Sequence, residues 1–220
     1  MKLKLTNAIK TYWLPFTLSV FLLIFHATTY FLAKFTPVEA VVVGGKLDDI
    51  IPFLPFWVIF YVLWYPLLIF VPCYIYKYDR GKFYTYIIIK FVIDVVSFFI
   101  FIFYPTIFNR PELVVNGPFT WVLNIIYMND TPAMNCLPSM HCTTCFTSIY
   151  TIVKSNKIPK KCKVLFSIIF VLIVLSTLFV KQHAIIDVIT ALILTIIVSF
   201  LIYKLKLDNK VEQFFERLKK

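Results

Sequence analysis

Six runs of apolar residues divide the chain, at 12–32, 53–76, 83–103, 139–153, 164–180 and 184–203. Crossing the hydrocarbon core of a bilayer takes about 20 residues of helix. All but the fourth run come close to that or exceed it. No small-residue cleavage site follows the first run, so it is read as a retained span rather than a signal peptide. The expected fold class is therefore all-α: an integral membrane six-transmembrane-helix bundle, one domain over 1–220. Composition points the same way. Hydrophobic residues make up 60% of the chain and charged residues 15%, where soluble domains carry about 25% charge.

The loops between the runs set an orientation. Lys2, Lys4 and Lys10 precede the first run. Lys77, Arg80 and Lys82 lie between the second and third, and Lys154, Lys157, Lys160, Lys161 and Lys163 between the fourth and fifth. A Lys-rich tail follows Tyr203. With six spans all of these share one side, which the positive-inside rule makes cytoplasmic, so both termini are expected there. The same alternation supports the short fourth run. A net charge of +11 placed between apolar runs suits a membrane surface, and nucleic acid is not an expected partner. Trp13, Trp57, Trp64 and Trp121, near span ends, suit an interfacial belt.

The opposite, extracytoplasmic side gathers unusual polar residues. They are Arg110 in Tyr104–Pro111, Ser139 and His141 after Pro138, and Lys181, His183 and Asp187 at the start of the sixth run. Such a set suits phosphoryl transfer. Arg110 offers a fork of donors matched to phosphate oxygens, and Lys181 adds a mobile point charge. Ser139 stands where a helix begins and free backbone N–H groups favour an anion. His183 and Asp187, four apart, share a helix face. A carboxylate beside an imidazole fixes its tautomer and stabilises its cation, which makes His183 a nucleophile for phosphorus. His141 is then free to act as general acid. A carboxylate one turn inside an apolar span is costly without a purpose. No carboxylate cluster presents itself for a metal, so a metal-independent reaction without a cofactor is expected.

These clusters resemble the motifs of the type-2 phosphatidic acid phosphatase family, whose superfamily includes lipid phosphate phosphatases, polyprenyl diphosphate phosphatases and vanadium haloperoxidases. Arg110-Pro111 matches the end of its first motif and Pro138-Ser139-Met140-His141 its second. Ser176, His183 and Asp187 keep the spacing of its third. The resemblance implies a phosphohistidine at His183 assisted by Asp187, protonation of the leaving oxygen by His141, and phosphate binding by Arg110 and Ser139. Membrane lipids and a lipid phosphate substrate, of polyprenyl or glycerolipid type, are the partners it implies. Two motif cations are replaced, by Phe103 and Thr177, and Lys181 offers a substitute for one of them. Tyr104-Pro-Thr and Lys181-Gln-His also resemble a branch that includes inositol phosphorylceramide synthases, which pass a phospho-headgroup to another lipid. Phosphatase and headgroup transferase both stay open, beside a non-enzymatic transporter.

Several further residues read more simply. Lys90 and Asp94, four apart in the third run, suit a salt bridge facing the bundle, although a transporter would use Asp94 as a proton relay. His26 suits a hydrogen bond to a neighbouring helix. Asp48 and Asp49, on the outer side before the second run, suit either the border of the site or helix capping. Asn129-Asp130-Thr131 forms a glycosylation sequon followed by Pro132. The CxxC of Cys142 and Cys145 is read as packing. A Cys136–Cys142 disulfide is the alternative use of one of them.

Overall fold

A computed structural model describes residues 2–218; Met1 and the last two lysines of the basic tail, Lys219 and Lys220, lie outside the described residues. The main helices are α1 (Lys2–Ala33), α3 (Val58–Tyr78), α4 (Arg80–Phe103), α6 (Met140–Lys154), α7 (Lys160–Phe179) and α8 (Ile185–Leu205). Each corresponds to one of the six runs; α1 begins ten residues before its run and α3 five after, and the other ends agree within about four residues. Shorter elements join them: β1 (Val41–Val43), α2 (Lys46–Ile50), β2 (Thr106–Phe108) and α5 (Pro118–Asn129), with α9 (Leu207–Leu218) after the bundle.

Among the described residues, five helices are long and apolar enough to cross a membrane, so the chain has the character of a multi-pass membrane protein. The sixth expected span, α6, falls short. Its 15 residues rise only about 22 Å. It packs against α3, α4, α7 and α8, with Cys142, Cys145 and Ile152 fully buried in the main core. That central place explains its composition. Thr147, Ser148 and Thr151 are buried and bond the carbonyls of Thr143, Thr144 and Thr147 at 2.8, 2.8 and 2.9 Å. Small hydroxyl residues let helices approach closely, and each satisfies its own polar atom on its own helix. The outer helices carry the opposite pattern, with Ile189, Ile193, Ile196 and Phe200 of α8 exposed, as suits a face turned to lipid.

The strict all-α expectation is corrected in one place. β1 and β2 pair in parallel, Val41 opposite Thr106 and Val43 opposite Phe108. The Thr106 hydroxyl also accepts the Leu137 amide at 2.9 Å, so this small sheet pins the segment leading into α6. Gly44, next to β1, has φ +115, and a Cβ there would lie 3.0 Å from the Phe108 ring. Glycine alone suits both constraints.

The interfacial reading of Trp64 is also corrected. Trp13 and Trp121 are exposed, but Trp64 is 4% exposed and lies in the core. All five cysteines are free, Cys136 and Cys142 included. Lys90 and Asp94 do form the expected ion pair, joined by His26 of α1.

Candidate active site

The turn from α7 to α8 positions His183. The Thr177 carbonyl accepts the amides of Gln182 at 2.9 Å and His183 at 3.2 Å, closing the turn tightly. Lys181 takes positive φ, 53°, within it. Asp187 lies in the first turn of α8 and is fully buried. Its Oδ2 accepts the Ala184 amide at 2.9 Å and lies 3.2 Å from His183 Nδ1. A carboxylate at a helix N-terminus satisfies amides that have no partner within the helix. Here the same carboxylate also holds the imidazole, leaving Nε2 of His183 as the available ring nitrogen.

The second imidazole comes from α6. Ser139 caps that helix, its hydroxyl accepting the Cys142 amide at 3.3 Å. Its own amide donates to the Asp187 carbonyl at 3.2 Å. This bond ties the start of α6 to the start of α8, and the rings of His141 and His183 lie 5.8 Å apart, centroid to centroid. His141 is wedged against Trp64 at 4.0 Å and Tyr61 at 4.6 Å, while its Nε2 is buried without a partner. Both imidazoles line one cavity of about 550 Å³, walled by apolar and aromatic residues of α1, α3 and α5. That size and lining fit the apolar part of a small molecule or lipid.

Arg110 does not itself line the cavity; it is bonded to Asp130 and Gln182, which do. Its guanidinium donates to the Gln182 side chain at 2.6 Å, the Asp130 carbonyl at 2.9 Å and the Asp130 carboxylate. Its plane lies 4.6 Å from the Tyr127 ring. Burial pushes the Tyr127 phenol up to about 12, and the phenol donates to the Val180 carbonyl at 2.7 Å. Asp130 is a hub that also receives Lys34 Nζ at 2.8 Å and the Tyr30 hydroxyl. Nε of Arg110, Nε2 of Gln182 and Oδ1 of Asn135 are buried without partners here.

The structure thus brings His141, His183, Asp187, Ser139 and Arg110 to one end of the bundle. It takes the Lys181 ammonium elsewhere, onto the Asp48 carbonyl at 2.6 Å. Asp48 serves that side more fully than helix capping alone suggests. Its carboxylate accepts the Gly45 amide at 2.9 Å and the Ile185 amide at 2.7 Å, so it anchors the start of α8. Phe103 is 73% exposed. Thr177 is fully buried and donates to its own helix at the Val174 carbonyl, 2.8 Å away. Neither supplies a cation.

Sequence reasoning missed Asp130, Gln182, Asn135, Cys136 and Trp64. Asp130 was read only as part of a sequon, and Gln182 only as a neighbour of His183. Cys136 Sγ lies with the His183 and Asp187 ligand atoms in a group spanning at most 4.8 Å. Burial pushes the Cys136 thiol well above its usual range, and the thiol donates to the Ala133 carbonyl 3.0 Å away.

No curated protein and no solved structure matches the chain. A family model described as the PAP2 superfamily matches residues 95–210, just over half of the 220 residues. The matched segment contains Arg110, Ser139, His141, His183 and Asp187. This chain belongs to the PAP2 superfamily.

Proposed function

We propose that the protein is a membrane lipid phosphate phosphatase that works through a phosphohistidine at His183. Superfamily membership supports phosphatase-type chemistry on lipid phosphates in general. The observation that carries the finer reading is the pair of imidazoles on one apolar-walled cavity, one of them bonded to a buried carboxylate. His183 Nε2 attacks phosphorus, and the bond to the lipid oxygen breaks. His141 gives its proton to that oxygen, and the lipid alcohol leaves. Asp187 balances the charge that develops on the His183 ring. Water then attacks the phosphohistidine, His141 takes its proton, and phosphate departs. Arg110, Ser139 and Lys181 are the phosphate-binding groups in this reading. Arg110 is already oriented by Gln182 and Asp130, whereas Lys181 has to exchange the Asp48 carbonyl for phosphate. The substrate is a phospho- or diphospho-lipid of polyprenyl or glycerolipid type. In this reading α6, too short to be a full span by itself, is a sixth crossing enclosed by the five long helices, which puts both termini in the cytoplasm and the site on the extracytoplasmic face.

The test is phosphate release by the purified protein from a panel of lipid phosphates in EDTA, beside His183→Ala. Release that survives chelation and disappears in the variant is expected. Activity that needs a divalent ion, or that persists in His183→Ala, would overturn the mechanism. A second reading, transfer of the phospho-headgroup to a lipid alcohol, is favoured by enclosure: the His183 side chain is only 10% exposed. A phosphoenzyme shielded from water can await an alcohol. Product analysis with an added alcohol acceptor distinguishes the two.

A further inference from the structure

Cys136 stands beside the proposed nucleophile without a part in the reaction. It lines the cavity together with His183 and is only 2% exposed. Its Sγ, a ring nitrogen of His183 and a carboxylate oxygen of Asp187 all lie within 4.8 Å of one another. The three residues come from two segments, the loop before α6 and the turn into α8. The Ser139 amide ties these segments by donating to the Asp187 carbonyl at 3.2 Å. Cys136 also packs with Phe108 and Ala184 in one buried cluster.

A buried cysteine alone is no more than a small apolar side chain. Asp187 sets this one apart. Its carboxylate is fully buried. Oδ2 accepts the Ala184 amide and faces His183 Nδ1, but Oδ1 is buried without a partner. An unpaired buried carboxylate oxygen is costly, and a cation is a strong partner for it. Sulfur, imidazole nitrogen and carboxylate oxygen are the donor types that zinc accepts. A thiolate and a carboxylate carry two negative charges beside a neutral imidazole. A divalent ion among them leaves the group neutral, which suits a largely apolar cavity. At zinc bond lengths ligand atoms stand about 3.5 Å apart around the metal, so closing on the ion takes movements of about 1 Å.

We infer that Cys136, His183 and Asp187 form a binding site for a soft divalent cation such as Zn²⁺, and that this ion is an inhibitor rather than a resident cofactor. On binding, the Cys136 S–H bond breaks and its proton leaves to solvent. A sulfur–metal bond replaces the hydrogen bond to the Ala133 carbonyl. The ion takes a lone pair of His183 and the charge of Asp187, both of which the attack on phosphorus needs. The inhibition rests on reading His183 as the nucleophile; the binding does not.

Cadmium is the probe, because a cadmium–thiolate bond absorbs in the ultraviolet. Full-length protein with Cys73 and Cys162 replaced by serine is freed of metal and titrated with Cd²⁺, beside the same protein carrying Cys136→Ser. Serine keeps a donor for the Ala133 carbonyl and loses the thiolate. The parent is expected to gain the thiolate absorbance, saturating at one ion per chain, and a higher thermal midpoint with the ion bound. Cys136→Ser is expected to lose the absorbance and to bind about tenfold or more weakly by calorimetry. Asp187→Asn keeps an acceptor for the Ala184 amide and should weaken binding by a similar factor, which tests the site even if serine lowers the metal-free midpoint. Absence of the absorbance in the parent, its persistence in Cys136→Ser, or equal affinity in parent and both variants overturns the site. Phosphate release is followed in parallel. Zn²⁺ should lower it and EDTA restore it, with Cys136→Ser needing about tenfold more ion. Equal sensitivity of parent and Cys136→Ser overturns the inhibition. If no lipid phosphate is hydrolysed, the phosphatase reading fails, and absorbance and calorimetry still decide the site.

Discussion

His183 and Asp187 act as one unit, joined at 3.2 Å on consecutive turns of chain. With His183 as the proposed nucleophile of such a unit, His183→Ala is expected to lower kcat by about 10⁴-fold or more. His141→Ala removes only the proton donor and should cost about 10²- to 10⁴-fold. Supplying a substrate with a better leaving group should recover much of the His141→Ala loss and none of the His183→Ala loss. Equal recovery in both variants would reverse the two roles. The partnership of His183 and Asp187 was expected from the sequence as a shared helix face, but the structure makes it differently: His183 precedes α8, Ala184 is extended, and Asp187 reaches back over the helix start to the Ala184 amide and the imidazole. The partners of Arg110 could not be read from the sequence. Asp130 and Gln182 lie 20 and 72 residues away from it, and no local pattern encodes such a meeting. Trp64 misled for another reason: it stands at the middle of the 53–76 run rather than at its end, so an interfacial place never suited it, and it packs on an imidazole from a distant helix instead.

At the scale of elements, the start of α8 depends on a segment from elsewhere in the chain. Asp48 of α2 accepts the Ile185 amide and the Gly45 amide, one oxygen to each. Asp48→Ala leaves both amides without these partners. It should cost about 1–2 kcal/mol of stability, read as a lower thermal midpoint. Activity should fall as well, although Asp48 is not among the residues lining the cavity. Asp48→Asn, which retains an acceptor oxygen, should restore part of both. An alanine variant with unchanged midpoint and activity would mean that α8 needs no such anchor. Within α6, Thr147→Leu inserts bulk where Thr147 is fully buried, and overpacking of about 1–3 kcal/mol is expected. The sequence understated α6 because hydropathy measures preference for lipid, and this helix touches mostly other helices.

For the whole molecule, the start of α1 and α9 lie at the end of the bundle opposite the site. The cluster of Ala33, Phe101 and Met140 lies at the His183 end, while Tyr84, near the start of α4, stacks on Phe215 of α9 with ring centroids 5.6 Å apart. Two exposed positions, Asn116 and Asn156, report on the two faces. With Cys73 and Cys162 replaced by serine, a cysteine at position 116 should react with a membrane-impermeant thiol reagent in intact cells. One at position 156 should react only after lysis. The reverse pattern would turn the site toward the cytoplasm. The number, order and most of the ends of the long helices were legible in the sequence, because run length is a property of neighbouring residues, as was the closeness of His183 to Asp187, although it comes from a capped helix start rather than from a shared helix face. Only the tertiary structure decided that α6 is the central helix, that Lys181 bonds Asp48, that Asp130 holds Arg110, and that His26, His141 and His183 share one cavity. Those facts depend on how residues far apart in the chain pack together, and packing is settled by the shapes of several helices at once rather than by any one segment.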